Sequence, residues 1–154
     1  MSKWKQGTYT LKHPEKYLGK ENPKYKSGLE ERCFYYFDTN INILSWCYEP
    51  FPIPYFKPII ENNQIHMEER KYYVDFIATI KDTSGTIKKY MIEVKSKSET
   101  MPPVQPKKMT QKNKTRLMNE QLTFAVNQAK WQAASKFALA HDMNFIHLTD
   151  DMIR

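Results

Sequence analysis

Two apolar runs joined by a turn constrain this chain more than any other feature of its 154 residues. The first opens Asp75-Phe76-Ile77-Ala78-Thr79-Ile80, and the second closes Met91-Ile92-Glu93-Val94-Lys95. Between them, Asp82-Thr83-Ser84-Gly85 carries turn chemistry. The pattern predicts an antiparallel hairpin with arms over 70–80 and 87–95. Acids are embedded in these arms: Asp75 beside Val74 and Phe76, Glu93 between Ile92 and Val94. Counted outward from Ser84, Asp75 lies nine residues back and Glu93 nine forward. The two should therefore oppose each other about 5 Å apart. Lys95, two residues beyond Glu93, projects from the same face.

The rest of the chain reads as a small mixed α/β domain around this hairpin. Residues 1–26 are rich in Lys, Gly, Tyr and Pro. They read as an extended N-terminal arm on the surface, either stapled to its own domain or touching a partner. The domain proper should span 27–154. Ser27 followed by Glu30 matches a capping box, and Leu29, Cys33, Phe34 and Phe37 fall at helical spacing. This predicts a helix over 28–38. Strands are expected over 43–48 and 51–56, the second demoted to an edge by its prolines. Asn62-Asn63 marks a turn. Residues 96–115 lose periodicity and read as a basic, mobile loop. A long helix over 115–141 should bury Leu117, Leu122, Ala125, Val126, Ala129, Ala133, Phe137 and Ala140. A short strand is expected over 144–148.

Composition narrows the class of function. Lys and Arg number 24 against 17 Asp and Glu, a net charge of +7. A basic balance suits a polyanionic partner such as nucleic acid, and equally an ordinary soluble surface. No apolar run approaches the ~20 residues of a membrane span. No signal peptide is expected at the N-terminus. Cys33 and Cys47 lack metal-ligand spacing and read as reduced core thiols. The four histidines form no i, i+4 pair, so zinc is not indicated.

The carboxylates carry the chemistry. Mg²⁺ takes oxygen ligands and keeps several waters, so Asp75, Glu93 and a substrate phosphate would suit it. A carboxylate inside an apolar strand needs a partner or a metal to stay charged. On spacing alone, a half-exposed ladder of opposite charges fits as well. Glu30 could approach from the helix as a third acid, or serve only as a cap, with Glu31 beside it as a control. Gln128 and Lys130, within Asn127-Gln128-Ala129-Lys130-Trp131, could contact phosphate or lie on a solvated helix face.

Taken in order, these residues resemble a known family. Glu30, Asp75 and Glu93-Val94-Lys95 look like the PD-(D/E)xK nuclease superfamily. Trp4-Lys5-Gln6-Gly7, Tyr25 to Glu30, Ile43-Leu44-Ser45-Trp46 with Glu49, and Ile53-Pro54-Tyr55 resemble the head-completion nucleases of contractile-tailed phages. Tyr90 to Lys95, Pro102-Pro103 and Val126 to Trp131 continue the likeness. Three positions depart from that pattern: Val74 replaces a proline, Lys26 an arginine and Leu29 a tryptophan. None removes a catalytic group.

The resemblance implies a restriction-endonuclease-like core, a mixed β-sheet flanked by helices. It implies DNA hydrolysis with Mg²⁺, or Mn²⁺ in its place. Asp75, Glu93, the Val94 carbonyl and Glu30 would surround the metal, and Glu30, Asp75, Glu93 and Lys95 would form the catalytic set. Lys107, Lys108, Lys112, Lys114, Gln128 and Lys130 would hold DNA. It also implies head, portal or neck proteins as partners, in the host cytoplasm during assembly or in the virion. The rival expectations are a structural head or neck protein, a non-catalytic DNA-binding module, and a nuclease for repair or transposon ends.

Overall fold

A computed structural model describes residues 5–153; Trp4, in the first resembling segment, lies outside them. The centre is a four-stranded mixed sheet. Its strands are β3 (Ile43–Tyr48), β6 (Phe76–Lys81), β7 (Ile87–Lys95) and β8 (Asn144–Thr149), in the order β3-β6-β7-β8. Neighbours are antiparallel except β7 and β8, which run parallel. Two further antiparallel pairs lie outside this sheet. The short strands β1 (Gly7–Thr8) and β2 (Lys24–Tyr25) form one, and β4 (Pro52–Glu61) and β5 (Gln64–Tyr73) form the other.

Alternation along the strands makes two cores. Phe76, Ala78, Ile92 and Trp46 face α1 (Gly28–Thr39), where Phe34, Phe37 and Cys33 complete an aromatic cluster. Trp46, Phe34, Phe37 and Phe76 are fully buried, each contributing on the order of 2–3 kcal/mol of transfer free energy. On the opposite face, Met91, Val74, Ile53 and Tyr72 pack against Ala134 and Ala138 of α2 (Gln111–Ala140). The result is a restriction-endonuclease-like α/β core, with a helix on each side of the sheet.

The β6–β7 hairpin forms where expected. The Asp82 side chain accepts from the Ser84 and Thr86 amides at 2.9 Å each, and Gly85 takes a φ of 86°. The expected first arm is broken, however. Residues 70–73 belong to β5 and pair with β4, and the chain bends at Val74-Asp75 before β6 begins. The β4–β5 ribbon is longer than its sequence suggested. Its alternation is masked by Pro52, Pro54 and Pro58 on one strand and by charge on the other. Asn62 and Asn63, at φ of 50° and 59°, close it in a two-residue turn. The ribbon's outer half exposes Phe56, Ile60, Ile65 and Met67.

Two further expectations are corrected. Helix α2 starts at Gln111, because Thr110 caps it by accepting from the Asn113 amide at 3.1 Å. Lys112 and Lys114 therefore sit on its first turns and not in the loop. Of its expected stripe, Val126, Ala129, Ala133 and Phe137 pack partly buried against the core, but the deepest positions lie beside them. Trp131, Ala134 and Ala138 are the buried residues, whereas Ala125 and Ala140 are exposed.

The N-terminal segment is bound to its own domain. Tyr9 joins the α1 core, and Leu18 N donates to Trp46 O at 2.9 Å. The anchor is Asp38, fully buried near the end of α1. It accepts from the Tyr9 hydroxyl (2.8 Å), the Lys12 amide (2.7 Å) and the His13 amide (3.0 Å). Lys16 Nζ caps the helix end by donating to the carbonyls of Phe37, Asp38 and Asn40, each at 2.9 Å. Asp38→Ala strands three donors at once. It should lower stability by about 3 kcal/mol, whereas Tyr9→Phe should cost only about 1 kcal/mol. Thermal or urea unfolding measures both, and near-equal losses would show that Asp38 does not anchor the segment.

Candidate active site

The β6–β7 register decides how the acids meet. Phe76 pairs with Ile92, so one step further along the same ladder sets Asp75 opposite Glu93. Asp75 Oδ2 accepts from the Val94 amide at 2.8 Å, which locks that step. The Val94 N–H thus touches the acid pair directly. Glu93 and Lys95 alternate onto the α2 face. Glu93 is only 6% exposed, and its Oε1 is buried without a hydrogen-bond partner. Lys95 is half-buried and lies 3.9 Å from Glu99, in the short 3₁₀ segment Lys97–Thr100 that follows β7.

Burial pushes the Glu93 carboxyl well above the usual range, and the neighbouring Asp75 pushes it further. Lys95 and Lys130 oppose that rise. Asp75 keeps a partly open surface, yet the protein packed around it still raises its pKa, with the Val94 amide and Lys95 acting against the shift. Two carboxyls that resist ionisation side by side, one with a free oxygen, make a favourable place for a cation. The residues present therefore fit a divalent metal. Among the described residues no three acidic, His or Cys groups converge into a ready-made cage. The remaining ligands would have to be water, substrate or a shifted Glu30.

Glu30 is near but engaged. Its Oε2 accepts from the Tyr48 hydroxyl at 2.7 Å and its Oε1 from the Lys26 amide at 2.6 Å. Its backbone N–H donates to Ser27 Oγ at 3.1 Å, so it also serves the cap. Its charge still reaches Asp75, adding to the upward shift there. Glu31 points elsewhere and pairs with Lys5 at 2.7 Å.

Four nearby residues were given no role in the site from the sequence, although Glu49 and Tyr55 lie in segments that carry the family resemblance. Glu49 follows β3 at a φ of 45°, a left-handed conformation that costs roughly 1–3 kcal/mol in a non-glycine residue. Its amide donates to the Asp75 carbonyl at 2.8 Å and its side chain meets Lys26 Nζ at 3.0 Å. Tyr48 holds Glu30. Tyr55 and Tyr72 hold Lys130, whose Nζ lies 5.8 and 5.7 Å from their ring centres. Glu49 comes opposite Asp75 only because β3 pairs with β6, and the tyrosines carried no site signal of their own.

The residues expected to hold DNA divide between places. Lys130 stands on the acid side, with the Tyr72 hydroxyl donating to its carbonyl at 2.9 Å. Burial lowers the pKa of its ammonium while Glu93 raises it. Gln128 faces the other way, toward β8. Lys107, Lys108, Lys112 and Lys114 are exposed on the loop and the start of α2.

Comparison with known proteins gives this geometry a context. The family model described as TnsA-like endonuclease N terminal matches residues 40–150. That span contains Asp75, Glu93 and Lys95, and begins after Glu30. The head completion nuclease of Enterobacteria phage T4 is 37% identical over 151 residues, covering 96% of this chain and 93% of that protein. The chain belongs to the head completion nuclease family. It is thus a nuclease, and nuclease domains of this type generally use divalent metal ions. No solved structure matches the chain.

A head completion nuclease with this acid pair should respond to pH in a definite direction. Both acids hold their protons more tightly when folded than when unfolded. Their contribution to stability is therefore present below the ordinary carboxylate range and lost as pH rises through the raised values. Without divalent metal, Glu93→Gln should raise Tm at pH 8, by about 2–4 °C for each kcal/mol of relieved repulsion, and change it little at pH 5. Parallel thermal melts at the two pH values test this; an equal effect at both would show that Glu93 is not held in its raised state.

Proposed function

We propose that this chain hydrolyses phosphodiester bonds of DNA with Mg²⁺ as cofactor, during completion of a phage head. The observation that carries the reading is the buried Asp75–Glu93 pair, with an unpartnered Glu93 oxygen and Lys95 on the same strand face. A structural protein gains nothing from two crowded acids that destabilise it at neutral pH. A metal-dependent hydrolase needs them.

In this reading Asp75 and Glu93 hold the metal, with Glu30 joining directly or through water. Bound there, Mg²⁺ supplies Lewis-acid stabilisation of charge developing on the phosphate. Lys95 Nζ orients the attacking water and donates to the phosphate as its charge grows. Tyr48 keeps Glu30 turned toward the site. Lys130, braced by two tyrosines, sets a second positive charge beside the acids. Lys107, Lys108, Lys112 and Lys114 hold the DNA backbone by charge, which carries no base information.

The setting follows from the T4 relative, which is named for head completion. Partners would be head, portal or neck proteins, met in the host cytoplasm during assembly or within the virion. Mn²⁺ should substitute for Mg²⁺, because the same oxygen ligands suit both.

Cleavage of linear DNA in Mg²⁺ tests the assignment. Asp75→Ala, Glu93→Gln and Lys95→Ala should each reduce the rate by roughly 10²–10³-fold or more, and Glu31→Gln should leave it unchanged. Mg²⁺ should raise the Tm of the unaltered protein but not that of Asp75→Ala. Cleavage by Asp75→Ala at the unaltered rate would remove these residues from the active site.

A further inference from the structure

A cavity of about 500 Å³ lies between α2 and β8, at the outer edge of the sheet. Its walls come from one face of α2 and from β8. Trp131, Phe145 and His147 supply rings, Gln128 and Gln132 supply amides, and Lys136 supplies a cation. The rings are packed edge to face: Trp131 and His147 at 4.3 Å between centres, Phe145 and His147 at 5.2 Å. His147 pairs with Glu93 across the parallel β7–β8 ladder, so one lining residue sits on the strand next to the acid, a backbone spacing of about 5 Å.

Two polar atoms here have no protein partner. Trp131 Nε1 and His147 Nε2 are both buried and unbonded, although Trp131 is 94% removed from solvent. Buried polar groups nearly always find partners, and both of these orphaned atoms belong to side chains that line the cavity. One nitrogen of the His147 ring can donate while the other accepts. The chemistry is wrong for a bare phosphate. Lys136 is the one cationic lining residue among the described residues, it is exposed, and the remaining polar groups are neutral.

Aromatic walls with amides that both donate and accept match the face and edge of a nucleobase. We propose that this cavity takes an unpaired nucleobase of the DNA strand being cut. A base inside a duplex cannot enter, so the strand must be single-stranded, frayed or flipped where it meets the acids. Lys136 at the rim would meet the adjoining phosphate. The inference rests on the nuclease reading and deepens it, since it gives the form of DNA the site prefers.

Binding measured with Ca²⁺ in place of Mg²⁺ separates base recognition from turnover. Three labelled DNAs serve as probes: a blunt duplex, the same duplex with a single-stranded end, and that end made abasic. The base-bearing end should bind about tenfold more tightly than either of the others. Gln132→Ala, on the exposed rim, should reduce that ratio to about twofold or less.

Equal affinity for base-bearing and abasic ends, with Mg²⁺-dependent cleavage intact, would overturn the base pocket and leave the nuclease reading standing. A full preference in Gln132→Ala would also overturn it. A chain that cut no DNA yet kept the preference, and lost it in Gln132→Ala, would uphold the pocket and sink the catalytic reading instead.

Discussion

The pairing of Phe76 with Ile92 fixes nearly everything that follows at the acid site. Strand faces alternate, so a slip of one residue would turn Glu93 toward the α1 face, among Trp46, Phe34 and Phe37. It would also turn Ile92 away from that cluster. Both faces of β7 are covered, by α1 on one side and α2 on the other, so neither error can be hidden at a solvated surface. The Asp82 turn sets the starting point of the ladder and the Val94–Asp75 hydrogen bond closes its far end. Between those limits, aromatic packing on one side and Met91 under α2 on the other keep the count. The position of two carboxylates is thus enforced by the hydrophobic pattern of their neighbours.

The fold tolerates at this point what it avoids elsewhere. Asp38 is also buried, yet three donors surround it. Glu30 is answered by Tyr48 and Lys26, and Glu31 by Lys5. Glu93 keeps an oxygen unanswered, and its nearest positive influences, Lys95 and Lys130, only temper the rise in its pKa. Both lysines are held without being neutralised outright, Lys95 at 3.9 Å from Glu99 and Lys130 between two tyrosine rings. Positive charge is kept close to the acids but not spent on them. That arrangement leaves room for a cation and for the phosphate it would bring.

The core of the site was legible because its signals are local. A turn with Asp and Gly, two flanking apolar runs and a symmetric count are enough to oppose Asp75 and Glu93, and period-2 alternation is enough to place Lys95. What escaped the sequence depends on distant partners. The β4–β5 ribbon looked like a proline-broken edge because its stability comes from packing against α2, not from strand propensity. Tyr9 looked like surface because the buried acid that anchors it is 29 residues away. Gln128 and Lys130 looked alike, yet two residues on a helix are about 200° apart, and they face opposite walls. His147 gave no sign at all, since its neighbourhood with Glu93 arises only when β8 joins the sheet in parallel.

That parallel pairing gives the site its extent. The strand pairing sets Glu49, just after β3, beside Asp75, just before β6; Asp75 beside Glu93; and Glu93 beside His147, along a single end of the sheet. For the parallel strands this is the carboxyl end, where open α/β sheets place their ligands. Helix α2 crosses above the row and divides its own residues between the two halves. Lys130, with Tyr55 and Tyr72, overlooks the acids, while Trp131 and Gln132 overlook His147. In the proposed reading, adjacent positions on one rigid helix would address a phosphate and a base of the same strand. A substrate that satisfied both would be held on either side of the bond to be broken, without a mobile loop having to close over it. The exposed lysines at the start of α2 would then add charge along the approach, drawing DNA in without choosing where it stops.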